Sequence, residues 1–192
     1  MTLQSVEVRK SADFERAFPA RLTTEQGAPR ITQQPMASDI LWTLAGFAPH
    51  SPVNLTILGA DYRLDYVLDT GARFVSERLR LECRHAGGTR TLELRRGSKP
   101  LKGEILDVDL GFSPLFNSLP VLRDRLHEGG ETREYVMAWV AVPELSVSRS
   151  RQRYVPLEHG RVRFRSGSFS ADLQLDQDGF VVAYPGLAER VE

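Results

Sequence analysis

The sequence predicts an all-β fold, a curved antiparallel sheet or partly open barrel with at most two or three short helices. Three observations carry this. Short segments of alternating apolar and polar residues recur along the chain. Glycine-containing turn pairs separate them at Thr70-Gly71, Gly87-Gly88, Gly167-Ser168 and Asp178-Gly179. No long helical pattern sits between the strands, which argues against an α/β arrangement.

From residue 40 the pattern is strand-like. Val53, Leu55 and Ile57 alternate, and then Tyr62, Leu64, Tyr66 and Leu68 alternate with Arg63, Asp65 and Asp69. Val75, Leu79, Leu81 and Cys83 share one face, with Arg78, Arg80 and Glu82 on the other. A two-residue turn at Gly87-Gly88 would set Cys83 opposite Leu92 and Leu81 opposite Leu94. It would also set Glu82 opposite Glu93, a like-charge penalty. Residues 134–142 form a strand apolar on both faces, so both faces are expected to be covered.

The C-terminal hairpins are the clearest. A turn at Gly167-Ser168 sets Phe164 opposite Ala171, Val162 opposite Leu173 and Arg163 opposite Asp172. A turn at Asp178-Gly179 sets Val182 opposite Leu175 and Tyr184 opposite Leu173. Pro185-Gly186 then breaks the strand, and residues 187–191 are expected to form one helical turn. Before residue 40 the chain reads poorly. Ser11 could cap a short helix over residues 12–18, and residues 23–38 read as loop. With no boundary signal, residues 1–192 are taken as one domain.

The most distinctive stretch is residues 106–122. It starts as a strand, breaks at Gly111 and turns through Ser113-Pro114 into an apolar segment with Phe112, Leu115, Phe116, Leu119 and Val121. Asp107 and Asp109 lie on one face of that strand. Their spacing would suit a metal or an acid–base pair, but alternation reads them as a solvated face.

Composition excludes several classes. Of 192 residues, 41% are hydrophobic and 26% charged, as in ordinary globular proteins. Twenty-five basic and 25 acidic residues balance, so a globally basic nucleic-acid binder is not indicated. One cysteine, Cys83, excludes an intrachain disulfide and reads as a small core residue. No signal peptide or membrane span is visible, and the expected location is cytoplasmic.

No nucleophile elbow, phosphate-binding loop or dinucleotide fingerprint occurs, so no catalytic residue and no cofactor are assigned. His50, His85, His127 and His159 lack the spacing of a zinc motif, so no metal site is assigned either. Arg149, Arg151 and Arg153 alternate on one strand, and Arg161, Arg163 and Arg165 on the next. Paired strands would gather six guanidinium groups able to take phosphate or another anionic group. Charge compensation, for example by Asp172, is the plainer reading.

The stretches DVDLGFSPLFNSLPVLR (107–123), AWVAVPELSV (138–147), QRY (152–154) and FSADLQLDQDGFVVAYPGLAERV (169–191) resemble a bacterial family of putative glycolipid-binding proteins, formerly a domain of unknown function. The resemblance covers residues 62–191, about two thirds of the chain, with Phe74 where members often carry Trp. It implies a spiral β-roll similar to envelope lipid carriers, and it defines no catalytic residues. The expected function is non-enzymatic binding of a lipid or glycolipid whose acyl-bearing part sits in a β-roll cavity walled by Phe112, Phe116, Trp139 and Tyr184. Two alternatives stand beside it. One is an enzyme acting on a small anionic substrate with the 149–165 arginines and Asp107 or Asp109. The other is a protein-interaction module using an exposed strand edge.

Overall fold

The structure, a computed structural model, describes residues 4–8, 38–42, 49–50, 52–59 and 61–191. The strands are β1 (Gln4–Val8), β2 (Ser38–Trp42), β3 (Pro52–Leu58), β4 (Tyr62–Thr70), β5 (Ser76–His85), β6 (Gly88–Arg95) and β7 (Ile105–Leu110). Helix α1 (Leu115–Asp124) follows, and then β8 (Arg133–Val140), β9 (Val147–Leu157), β10 (Arg161–Ser166), β11 (Phe169–Leu175), β12 (Val181–Tyr184) and β13 (Ala188–Val191). The helix expected over residues 12–18, and all of the 23–38 loop but Ser38, lie outside the described residues. Ser38 itself opens β2.

These strands form one sheet in the order β6-β5-β4-β3-β2-β1-β13-β12-β11-β10-β9-β8-β7. It consists of two meanders joined where β1 pairs with β13. Neighbours are antiparallel except β7 and β8, which run parallel because α1 makes the crossover between them. The sheet curls into a half-barrel, and its β7 end comes to lie against β5. The Arg96 guanidinium fastens this closure. It donates to the carbonyls of Ile105 at 2.7 Å and Ser76 at 2.8 Å, and to that of Leu106. The Val108 amide adds a long bond to Ser76 Oγ at 3.4 Å. An edge strand that would otherwise show bare backbone is thereby covered.

The core follows the alternation. Leu64, Tyr66 and Leu68 of β4 face Leu81, Leu79 and their neighbours on β5 from the same buried side. Helix α1 is buried almost all round, with Leu115, Phe116, Leu119 and Val121 fully enclosed. Its buried polar residues each find a partner. Asn117 donates to Tyr154, Ser118 accepts the Val181 amide at 3.0 Å, and Arg123 pairs with Asp107.

The Gly167-Ser168 hairpin has the expected register, with Phe164 opposite Ala171 and Arg163 opposite Asp172. Three other expectations need correction. The β5–β6 turn lies at Ala86-Gly87, so His85 faces Gly88 and Leu81 faces Leu92. That two-residue shift sets Arg80 opposite Glu93 in place of Glu82, exchanging a repulsion for an attraction. At Asp178-Gly179 the register is shifted between Gln174 and Leu175, so Leu175 faces Val181. There Asp176 Oδ1 accepts the amides of Asp178 and Phe180 at 3.2 and 2.8 Å, which fixes a wider turn. Residues 188–191 are a strand, not a helical turn, because β12 and β1 offer them ladder partners on both sides. No helix among the described residues is long and apolar enough to cross a membrane.

Candidate functional site

The site grows from the last strand. Asp109 on β7 lies beside Trp139 on β8, and the next strand presents Gln152 and Tyr154 toward the same side. A chain of hydrogen bonds crosses these elements from the helix. Asn117 Nδ2 donates to Tyr154 Oη at 3.0 Å, Tyr154 Oη donates to Gln152 Oε1 at 3.1 Å, and Gln152 Nε2 donates to Asp109 Oδ2. Every member is buried, and Asp109 itself is 8% exposed. The reading of Asp107 and Asp109 as a solvated face is therefore wrong. Alternation placed them correctly on one face, but α1 and the curled sheet cover that face.

Burial disfavours the charged form, and the Gln152 hydrogen bond only partly offsets it, so the Asp109 carboxyl is pushed up to about 6. Burial also holds the Tyr154 and Tyr184 phenols well above their ordinary value, with the Asp109 charge adding to it. The network thus keeps its tyrosines protonated and carries one carboxyl able to change state near neutral pH.

Asp109 opens onto a cleft of about 20 Å³, room for about one water molecule. Its walls include Phe112, Ser113, Asn117, Trp139, Phe164 and Tyr184. Two features set its rim. The Gly111 amide donates to the Val140 carbonyl at 3.0 Å, and a Cβ at Gly111 would sit 3.3 Å from that oxygen. Phe112 follows with φ at 66°, a strained backbone for a bulky residue. Ser113 is anchored through its hydroxyl to Tyr66 Oη at 2.8 Å.

Asp107 has a different fate. Its two oxygens accept the Arg123 fork at 2.8 and 2.7 Å, with side chains only 1% and 5% exposed. The guanidinium also lies 5.1 Å over the Tyr135 ring, and Tyr135 donates to Asp124 at 2.6 Å. This pair fixes α1 on β7 and leaves Asp109 as the carboxyl facing the cleft.

Of the expected cavity walls, Phe112, Trp139 and Tyr184 line the cleft. Phe116 does not. It is fully buried, with its ring 5.5 Å from that of Tyr66. Asn117, Gln152 and Ser113 went unassigned in the sequence. Gln152 had a usable signal, because it stands on the inward side of a strand whose outward positions are Arg149, Arg151 and Arg153.

The six arginines share the outer face of β9 and β10, where Arg153 stands opposite Arg165. Three meet an acid: Arg149 pairs with Glu104, Arg153 with Glu134 at 3.9 Å and Arg163 with Asp172. Asp107 and Asp109 are on the inner side, so these arginines and aspartates do not converge on one substrate. Among the described residues, no group of three His, Cys, Asp or Glu side chains could hold a metal ion. At the other sheet end, β6 is largely exposed.

A family model described as "Putative glycolipid-binding" matches residues 51–190. The crystal structure of a DUF1089 family protein from Pseudomonas aeruginosa is similar, with a TM-score of 0.70 and 26% identity. That likeness covers 89% of this chain and 100% of the other. No curated protein matches the chain.

Proposed function

The chain belongs to the "Putative glycolipid-binding" family, and from that premise we propose that it binds a glycolipid by its sugar headgroup at the Asp109 cleft, without chemical change to the ligand. The supporting observation is a buried carboxyl beside Trp139 at a void the size of one hydroxyl group. A sugar hydroxyl can enter such a void and donate to the carboxylate, a charge-assisted bond worth roughly 1.5–3 kcal/mol. The half-buried rings of Phe112 and Trp139 offer apolar faces on which the ring of the sugar can rest.

The size of the cleft decides which part of the ligand it takes. Pockets that enclose a small molecule run to roughly 300–1,000 Å³. At about 20 Å³ this one receives a single polar group and not an acyl chain. The lipid tail therefore stays outside the cleft, and affinity for an isolated headgroup is modest, because one good hydrogen bond must offset the entropy of association.

Titration with octyl glucoside below its micellar concentration tests this. The chain has two tryptophans, so Trp42→Phe leaves Trp139 as the fluorescent reporter. A saturable change is expected with the glycoside and not with octanol. Asp109→Asn should weaken it at least about tenfold, the lower end of the energy of a hydrogen bond to a charged group. An equal response to octanol, or no saturable response to any alkyl glycoside, overturns the reading. Native mass spectrometry of the protein taken from cells gives an independent check, since a co-purifying glycolipid would appear as a mass increment.

A further inference from the structure

The outer face of β9 and β10 carries more positive charge than its neighbours answer. Register sets Arg149, Arg151, Arg153, Arg161, Arg163 and Arg165 on one side of two paired strands. Arg153 and Arg165 face each other directly, a like-charge pair that costs stability. Glu104, Glu134 and Asp172 each form an ion pair with one arginine, Asp172 also feeling the charges of Arg161 and Arg165, and the Arg153–Glu134 contact at 3.9 Å joins two largely exposed groups. Among the described residues Arg151 and Arg165 form no ion pair, and Arg161 turns to the Glu158 carbonyl. A surplus of three positive charges thus remains on a chain whose formal net charge is zero.

The geometry is a plane and not a pocket. Same-side residues along a strand recur about every 7 Å and strands lie about 5 Å apart, so the guanidinium groups form a flat, shallow array. A single small anion would meet an open strand surface here. A flat field of separate anionic groups matches the array. Guanidinium groups suit phosphate oxygens, which they can grip with two parallel hydrogen bonds. The half-buried Val136, Val155 and Leu157 share this face and add apolar surface among the arginines.

We propose that this face docks the protein on an anionic phospholipid surface. The choice of occupant rests on the glycolipid-binding reading above, while the charge array stands without it. The same strands turn Gln152, Tyr154 and Phe164 inward to the cleft and its network. Docking by their backs therefore leaves the headgroup cleft on the side of the strands turned away from the surface, about one sheet thickness from it.

Sedimentation with vesicles tests this on the full chain. Phosphatidylcholine vesicles containing about 30% phosphatidylglycerol should bind the protein, and pure phosphatidylcholine vesicles should not. Binding should fall as salt rises from about 0.1 to 1 M. The double variant R151Q/R165Q should lose about thirtyfold in partitioning, taking about 1 kcal/mol for each arginine near an anionic surface. R80Q/R95Q, on exposed arginines of β5 and β6, should change little in binding, and both variants should stay folded, each unfolding cooperatively within about 1 kcal/mol of the parent.

Equal binding to both vesicle types, an R151Q/R165Q variant that binds as well as the parent, or tighter binding to a DNA oligonucleotide than to the anionic vesicles at the same salt each overturns the proposal. The vesicles contain no glycolipid, so the two readings fail separately. Protein that binds octyl glucoside but not these vesicles overturns the docking face alone. Protein that binds the vesicles but no alkyl glycoside overturns the cleft alone.

Discussion

Replacing Asp109 with Asn should make the protein more stable at neutral and alkaline pH. The carboxyl is 8% exposed and is pushed up to about 6 by burial, against an ordinary value of 3.8. The sign follows from linkage. A carboxyl whose folded value lies above its unfolded one favours the folded state when protonated. That contribution is full below about pH 4 and is lost as pH rises through about 6. Above this window the folded protein holds a charge it would prefer not to hold. The gap corresponds to about 3 kcal/mol, at about 1.4 kcal/mol for each tenfold change in proton affinity. Asn keeps an oxygen to accept the Gln152 amide and carries no charge. Urea unfolding of parent and variant from about pH 4 to pH 8 measures the difference. The variant should lead by about 2–3 kcal/mol near pH 8, with the lead shrinking toward zero near pH 4. A difference that does not vary with pH, or a variant less stable at pH 8 than the parent, refutes the placement of a strained carboxyl here. A stabilising loss of a polar group would also fit a site kept for binding at some expense to the fold.

Other substitutions probe the frame around the cleft. Asp107→Asn leaves the Arg123 fork charged and buried without its counter-ion, and should destabilise by about 3–5 kcal/mol in urea unfolding. The double variant D107L/R123M should recover most of that loss, because no lone charge remains. Arg96→Met removes the donor to three backbone carbonyls and should cost about 2–3 kcal/mol. Hydrogen exchange should then rise first at the Val108 amide, where β7 meets β5. Gly167→Ala should cost about 1 kcal/mol, since φ is +59° and a Cβ there meets no atom within 4 Å, leaving backbone strain as the whole effect.

The sequence shows its sheet clearly wherever one face is buried and the other wet. The β10–β11 register was readable because, among the alignments that keep Phe164 and Ala171 on one face, the one set by the Gly167-Ser168 turn also pairs Arg163 with Asp172. The β5–β6 turn was harder. Ala86-Gly87 and Gly87-Gly88 differ by a two-residue shift of register that keeps every apolar residue inward, and only the charge pairing separates them. Residues 188–191 misled because one of their two ladder partners, β1, lies about 180 residues away in sequence, and the other, β12, is reached through a tight Pro185-Gly186 turn that reads as a strand end.

The candidate site was half legible for a related reason. Trp139 and Tyr184 stand out as large aromatics on strands, and Phe112 follows a glycine break in the most distinctive stretch. The burial of Asp107 and Asp109 was hidden because the cover comes from α1 and the roll's closure, both tertiary events. Asn117 and Ser118 are polar residues inside an otherwise apolar segment. They are polar because a helix enclosed on all sides must bond to the strands that surround it.

The most direct measurement is a crystal structure of the chain grown with octyl glucoside. A sugar hydroxyl is expected within about 3 Å of an Asp109 carboxylate oxygen, with the sugar ring against Trp139 and the octyl tail outside the cleft. An ordered glycoside bound at a different place, with the Asp109 cleft left without sugar, would contradict the account.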